Sequence, residues 1–297
     1  MSRTTKLTTL ETAVHTVRDG QRIALGGFAI YQRPMALTRE LVRQQRRNLT
    51  IVGIVNAIEA DWLIGAGAVA RIETSYVGLE KFGLAKNFRR AVEAGRLEVV
   101  DYPELLAWDR FRASQEGLPF WPCTFLGGSG VAQYNADIVP FTCPLTAAQL
   151  WAVPPARPDV VLVHAPIGDE YGNVAFHRRK MLPQSVDITL TRACDTVIVS
   201  VEKIVTPREL QKQPHLVEIP AFRTTHIVEA PFGAHPTSLP GIYDCDDATF
   251  AEYVAASATP GQFAAWQDET RALTPMGWLE RIGLTRLLAL RNTELPA

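Results

Sequence analysis

Two glycine-rich segments follow apolar runs of the chain and can hold an oxyanion or a phosphate. These segments are Gly26-Gly27-Phe28 and Gly127-Gly128-Ser129-Gly130. Glycine has no side chain, so its backbone N–H groups can approach a ligand closely. A tight turn without a ligand is the alternative for each segment. Neither segment matches the nucleotide-binding patterns G-x-G-x-x-G or G-x-x-x-x-G-K-[ST], so the sequence does not indicate a nucleotide site of those kinds.

Two charged residues can act on a substrate. Arg33 follows the first glycine segment, and a guanidinium binds a carboxylate or a phosphate through two hydrogen bonds. A surface arginine at the start of a helix is the alternative for Arg33. Glu104 begins a predicted helix directly after a predicted strand, where the helix dipole favours a carboxylate. A purely structural partner of that dipole is the alternative for Glu104.

The cysteines, histidines and serines do not indicate a metal site or a serine nucleophile. The four cysteines form no C-x-x-C pair, and the six histidines show no H-x-x-x-H spacing. Ser129 does not complete a G-x-S-x-G elbow, because Val131 stands where the last glycine is required. His164 ends an apolar strand and is interpreted as a core histidine. We therefore expect no metal.

The elements that must position these residues alternate between strand and helix. Strands are predicted over residues 22–25, 49–55, 70–77, 97–101, 159–165, 195–202 and 225–230, with helices between the early ones, among them 82–95 and 104–115. The last fifty residues are predicted to be helical. Such alternation predicts an α/β fold with a mainly parallel open sheet and helices on both faces. We expect a single domain over residues 1–297 with a helical C-terminal region.

Composition narrows the class of protein. The chain has 297 residues, 30 Lys and Arg against 31 Asp and Glu, and 47% hydrophobic residues. A formal net charge of −1 provides no basic surface for nucleic acid. No apolar run reaches the ~20 residues needed to span a bilayer, and the N-terminal residues do not resemble a signal peptide. We therefore expect a cytoplasmic protein that binds neither nucleic acid nor membrane.

Residues 19–34, D-G-Q-R-I-A-L-G-G-F-A-I-Y-Q-R-P, closely resemble the signature of the first subunit of family I coenzyme A-transferases. Gln32 departs from the signature, which has glycine at this position. The following R-P-M-A resembles the glutaconate CoA-transferase branch, and further similar segments extend over roughly residues 8–230. The resemblance implies a CoA-transferase (NagB/RpiA/CoA-transferase-like) fold.

The resemblance also implies a reaction and a partner. In this family a glutamate attacks an acyl-CoA thioester and is converted to a glutamyl-CoA thioester, from which an acceptor acid takes the CoA. That glutamate lies in an S-E-N-G segment of the second subunit, and no S-E-N occurs in this chain. We therefore expect a β subunit to supply the nucleophile, in an α2β2 assembly. Coenzyme A enters as a substrate, without a tightly bound cofactor, and we expect Arg33 and both glycine-rich segments to contact it or the acyl group.

A second branch of the same family gives Glu104 a larger role. Counted back from Gly117-Leu118-Pro119-Phe120, Glu104 matches a glutamate that is catalytic in the first subunit of a steroid-ring-opening CoA hydrolase. Glutaconate-type first subunits can also carry a carboxylate near this position. Three hypotheses follow: a transferase subunit, a hydrolase subunit with Glu104 catalytic, and a non-catalytic subunit that forms the substrate pocket. Glu104 is the candidate catalytic residue of this chain.

Overall fold

The computed structural model describes residues 4–178 and 180–291. Its strands are β1 (Arg22–Leu25), β2 (Leu49–Val52), β3 (Val55–Asn56), β4 (Val69–Thr74), β5 (Tyr76–Val77), β6 (Glu98–Asp101), β7 (Trp121–Cys123), β8 (Val139–Thr142), β9 (Gln149–Val153), β10 (Val160–Asp169), β11 (Val174–Ala175), β12 (Val197–Val205), β13 (Val217–Ile219) and β14 (His226–Glu229). Its α-helices are α1 (Leu10–His15), α2 (Met35–Arg43), α3 (Ile58–Gly65), α4 (Lys86–Glu93), α5 (Glu104–Gln115), α6 (Val131–Tyr134), α7 (Leu182–Arg192), α8 (Pro207–Gln211), α9 (Asp247–Ala256), α10 (Pro260–Arg271), α11 (Pro275–Ile282) and α12 (Leu284–Ala289).

The central sheet is mainly parallel. Seven of its strands are parallel in the order β6-β4-β2-β1-β10-β12-β14, and β11 and β13 add antiparallel pairs beside the end of β10. The register at the centre pairs Ile23 with Val160 and with Ile51. The predicted mainly parallel α/β sheet is therefore confirmed.

Both faces of the sheet are covered, because alternate residues of a strand point to opposite faces. On one face Leu162 and Ile198 pack in a core with α1 to α4 and the C-terminal helices. On the other face Val161 and Val163 pack in a second core with α5 and α7. Trp62 of α3 packs against Trp266 of α10 with ring centroids 4.6 Å apart, which joins the C-terminal helices to the first core.

Most predicted elements are found where the sequence places them, with two informative shifts. Helix α5 begins at Glu104, as predicted. The helix predicted over 82–95 begins only at Lys86, because Gly83 adopts a φ of 100° after a 3₁₀ turn at Glu80–Phe82. The strand predicted over 49–55 divides into β2 and β3. The prediction of a single domain over residues 1–297 stays a prediction and includes positions outside the described residues.

A second sheet was not predicted from the sequence. Strands β7, β9 and β8 form an antiparallel three-stranded sheet between α5 and β10 in the chain. Its core side is formed by Cys123 and Val153, which join the second core. Pro122 and Pro140 interrupt strands of only three and four residues, so the sequence pattern of a strand is too short to recognise.

A buried carboxylate ties β4 to neighbouring elements. Glu73 accepts hydrogen bonds from Arg22 at 2.8 and 2.9 Å, from Arg71 at 2.9 Å and from Arg110 at 2.6 Å. Burial alone would raise the pKa of Glu73, but the hydrogen bonds from Arg22 and the charge of Arg110 lower that pKa to about 2. The ionised carboxylate is therefore the form that this cluster stabilises.

This cluster predicts a loss of stability in acid. A carboxyl whose pKa is lower in the folded than in the unfolded protein stabilises the fold above its unfolded pKa, about 4.3. That contribution is lost as the pH falls towards 2. Between pH 6 and pH 3 we expect the free energy of unfolding of the wild type to fall by about 2 kcal/mol more than that of Glu73→Gln. Urea unfolding at both pH values measures this difference, and equal losses would contradict the assignment.

Candidate active site

The carboxyl ends of parallel strands border an open cleft of about 600 Å³. Residues that follow β1, β4 and β6 line it, among them Phe28, Ser75, Tyr76, Tyr102 and Glu104. The carboxyl ends of parallel strands lie at one edge of a sheet, and open α/β sheets bind ligands in the crevice there. The cleft is therefore the candidate active site.

Glu104 lies in this cleft as the first residue of α5. Its side chain is exposed, and Pro103 precedes it without a side-chain cap for the helix. The neighbouring Asp101 also lines the cleft, and burial raises the pKa of its carboxyl. An exposed carboxylate at a helix start that borders a cleft can contact a ligand, so the structure places Glu104 where a catalytic acid or base is required.

The first glycine segment forms a tight turn that presents Phe28 to the cleft. Gly27 adopts a φ of 81°, and a Cβ at Gly27 would overlap the backbone of Tyr31 and Gln32. The N–H of Phe28 donates to the carbonyl of Tyr31 at 3.0 Å, and the N–H of Tyr31 donates to the carbonyl of Phe28 at 3.0 Å. Gly26 and Gly27 are buried behind this turn, while Phe28 reaches the cleft.

Phe28 also lines a second cavity of about 820 Å³. Tyr31, Lys81 and Ser238 line this second cavity, and Glu80 lines both cavities together with Phe28. Phe28 and Glu80 therefore lie where the two cavities meet, and a long ligand that occupied both would pass them.

Arg33 lies inside the protein. Its side chain is 1% exposed and donates to the carbonyls of Ala29 at 2.8 Å, Gly26 at 3.0 Å and Val55. Its guanidinium lies 3.2 Å from the carboxylate of Glu59, which is 0% exposed. Burial lowers the pKa of Arg33, whereas the charge of Glu59 raises it. These contacts use the guanidinium to hold the turn, so its predicted contact with a ligand has no geometric support.

The second glycine segment lies on the surface beside the cleft. Gly127, Gly128, Ser129 and Gly130 are exposed, and none of the four is among the residues that line the cleft. The Ser129 hydroxyl donates to the carbonyl of Leu126 at 3.1 Å, as in a turn. The segment leads into Val131, which does line the cleft beside Phe28 and Glu104. The structure therefore brings Phe28 and Glu104 together and leaves the second glycine segment at the rim.

Asp187 is a residue of this region that sequence reasoning missed. It lies in α7, is 0% exposed and accepts the N–H of Gly27 at 2.6 Å. Burial raises the pKa of Asp187 to about 7, and the hydrogen bonds from Gly27 and Gln32 and the charge of Arg33 offset part of that rise. An acidic residue in the middle of an otherwise core-facing helix is the signal that could have drawn attention to it.

His164 is a core histidine, as interpreted from the sequence. It is 0% exposed, and its ring nitrogens lie 2.8 Å from the Ser200 hydroxyl and 2.8 Å from the Glu202 carboxylate. Glu202 also accepts the N–H groups of Phe232 at 2.8 Å and Gly233 at 3.1 Å. The serine, histidine and glutamate resemble a catalytic triad in order only, because Ser200 is fully buried.

Residues 4–178 and 180–291 contain neither a metal cluster nor a helix suited to a bilayer. No group of three or more His, Cys, Asp or Glu side chains among them is arranged to hold a metal ion. No helix in the same part of the chain combines the length and the apolar character that crossing a bilayer requires.

A family model described as Coenzyme A transferase matches residues 7–230. The chain belongs to this family. The matched residues include the turn of Phe28, the Glu104 position and the strands of the central sheet up to β14. The resemblance found in residues 19–34 is thereby confirmed, together with the coenzyme A transferase class of enzyme.

Individual relatives agree with the glutaconate branch. The chain is 31% identical to the first of the named subunits of glutaconate CoA-transferase from Acidaminococcus fermentans over 310 residues, which covers 96% of this chain and 94% of that protein. A crystal structure of glutaconate coenzyme A-transferase from the same organism matches with a TM-score of 0.93 and 29% identity, covering 97% of this chain and 96% of that one.

Other relatives widen the range. The chain is 30% identical to the cholesterol ring-cleaving hydrolase IpdA subunit from Rhodococcus jostii, covering 90% of this chain and 91% of that protein. It is 33% identical over 252 residues to an uncharacterized protein from Archaeoglobus fulgidus, covering 84% of this chain. In that last case the chain spans only 55% of the relative's length.

Proposed function

We propose that this chain is the first subunit of a coenzyme A transferase that moves CoA from an acyl-CoA to a carboxylic acid. The observation that carries the proposal is the cleft at the carboxyl ends of the strands, where the family's glycine turn presents Phe28 beside Glu104. Near full-length similarity to one subunit of glutaconate CoA-transferase supports the transferase reaction over others. Coenzyme A and the acyl group are substrates of this cleft.

The reaction exchanges acyl groups through a carboxylate nucleophile. A glutamate oxygen attacks the thioester carbonyl, the C–S bond breaks, and CoA leaves as a thiolate. The thiolate then attacks the glutamyl carbonyl of the resulting anhydride, which releases the first acid and forms a glutamyl-CoA thioester. The acceptor acid reverses both steps. Each tetrahedral centre requires donors for its oxyanion, which lowers each barrier.

A second subunit supplies the nucleophile in this proposal. The S-E-N-G segment that carries the family's glutamate does not occur in this sequence. The relative from Acidaminococcus fermentans is named as one subunit of its enzyme, which supports a two-subunit assembly. We propose an α2β2 complex in which the partner's glutamate enters the cleft opposite Glu104.

The test uses this chain co-expressed with a partner that carries S-E-N-G. The purified complex is incubated with a panel of acyl-CoAs, with and without acceptor acids, and free CoA and new acyl-CoA are followed by mass spectrometry. We expect new acyl-CoA only when an acceptor acid is present, and no turnover by this chain alone. Release of free CoA or ring-opened product with water alone would contradict the transferase.

The second candidate is a hydrolase subunit in which Glu104 is catalytic. The observation that favours it is the position of Glu104 in the cleft, together with the similarity to the ring-cleaving hydrolase subunit. In this case the complex turns over without an acceptor acid, and Glu104→Ala abolishes that turnover. A pocket-forming subunit without a catalytic residue is the third hypothesis, and it predicts full activity of Glu104→Ala.

A further inference from the structure

Asp187 joins the two ends of the turn that presents Phe28. Its Oδ1 accepts the backbone N–H of Gly27 at 2.6 Å, and its Oδ2 accepts the side-chain N–H of Gln32 at 2.7 Å. Asp187 and Gln32 are both 0% exposed. The pair lies 155 residues apart in the chain, so it links α7 to the turn only in the folded protein.

Gly26 makes this approach possible. A Cβ built on Gly26 would overlap the Asp187 carboxylate and lie 2.8 Å from the side chain of Val163. The Gly26-Gly27 pair therefore has two different requirements: space for the carboxylate at the first glycine, and a φ of 81° at the second.

Gln32 adopts an unfavourable backbone conformation at this position. Its φ is 59°, in the left-handed region that glycine adopts with ease and that is uncommon for other residues. The family signature has glycine here, so glutamine gives up backbone freedom. What glutamine gains is the hydrogen bond to Asp187, which a glycine cannot make. The departure from the signature and the buried aspartate are thus explained by a single contact.

The turn held in this way carries Phe28. The N–H of Gln32 also donates to the carbonyl of Ser238 at 2.6 Å, and Ser238 lines the second cavity. We propose that Asp187 and Gln32 are positioning residues that fix Phe28 between the two cavities for binding of the acyl-CoA. This inference rests on the proposed function, because it assigns the ligand of the cleft.

Two substitutions remove the contact in different ways. Asp187→Ala leaves the Gly27 N–H and the Gln32 amide without their acceptor. Gln32→Gly removes the same contact but suits a φ of 59°, so it tests the pair without straining the backbone. In the complex with the partner subunit, we expect both variants to raise the KM for the acyl-CoA about tenfold and to keep kcat within about threefold, as loss of uniform binding does.

Asp187→Asn is the conservative variant. Its side-chain oxygen can still accept from Gly27. Its new amide nitrogen can donate to the Oε1 of Gln32, which has no partner in the wild type, once the Gln32 amide rotates. We expect the KM to return to within about threefold of the wild-type value. A KM as high as that of Asp187→Ala would overturn the hydrogen-bond role.

Asp61→Ala is the matched control for loss of a buried aspartate. Asp61 in α3 is also 0% exposed, and it accepts the N–H of Phe88 at 2.7 Å and the amide of Asn87 at 3.1 Å, away from both cavities. We expect a lower melting temperature from Asp61→Ala and an unchanged KM. If Asp187→Ala and Gln32→Gly show the KM of this control, the positioning role is refuted.

Hydrogen exchange separates this inference from the proposed function. In Asp187→Ala, and not in Asp61→Ala, we expect faster amide exchange over residues 24–33, read by mass spectrometry. Should the wild-type complex show no acyl-CoA turnover, the proposed function fails, and unchanged exchange over residues 24–33 would refute the pairing on its own.

Discussion

Glu104→Gln is expected to lower kcat of the assembled enzyme by about 10²- to 10⁴-fold, the range that general acid–base catalysis contributes. Glutamine keeps the size of the side chain and its ability to hydrogen bond, but it cannot take up or release a proton. Because Glu104 is exposed in the cleft and its side chain carries no part of the core, we expect the melting temperature to stay unchanged. Steady-state kinetics of the complex at saturating acyl-CoA measures the effect.

Glu116→Gln is the control for this substitution. Glu116 is exposed and follows the last residue of the same helix, α5, at the end away from the cleft. We expect its kcat to equal that of the wild type. If Glu104→Gln is equally active, the chain contributes a pocket and no catalytic carboxylate. If it loses turnover with water but wild-type turnover needs no acceptor acid, the hydrolase candidate replaces the transferase.

Arg33→Met is expected to destabilise the fold by about 3–5 kcal/mol, because it leaves the Glu59 carboxylate buried without a counter-charge. The carbonyls of Gly26 and Ala29 lose their donor in the same step. For a chain of this size the change corresponds to a melting temperature about 10 °C lower. Thermal unfolding followed by circular dichroism measures it.

Two further variants identify the cause. Glu59→Gln combined with Arg33→Met removes both charges, and we expect it to recover part of the lost stability. Arg89→Met removes an exposed arginine that pairs with Glu93, and we expect no measurable shift in melting temperature. A normal melting temperature for Arg33→Met with a raised KM would instead support the original interpretation of Arg33 as a ligand-binding residue.

The candidate catalytic residue could be located from the sequence because its signal is local. Glu104 and Phe28 each follow a strand closely, and parallel strands bring such positions to one edge of the sheet. The burial of Arg33 could not be predicted, because its counter-charge Glu59 and its acceptor Val55 belong to later elements. The contact between Gln32 and Asp187 is equally hidden, since the sequence pattern does not show which helix packs over the first turn.

The fold of the central sheet was predictable, whereas the antiparallel strands were not. Long apolar runs such as β10 and β12 are buried on both faces, and each is recognisable without its neighbours. Strands β7 and β8 have three and four residues and contain proline, so only their pairing with β9 makes them strands. The surface that they add beside the second core is therefore visible only in the structure.

The position of β1 at the centre of the sheet affects how the chain is made. β1 pairs with β2 on one side, soon after it leaves the ribosome, but its other neighbour, β10, begins only at Val160. Until β10 has been synthesised, the nascent sheet of β1, β2, β4 and β6 has an open, apolar edge at β1. Open strand edges recruit other chains, so this interval is when the growing polypeptide is most exposed to aggregation and most dependent on chaperones.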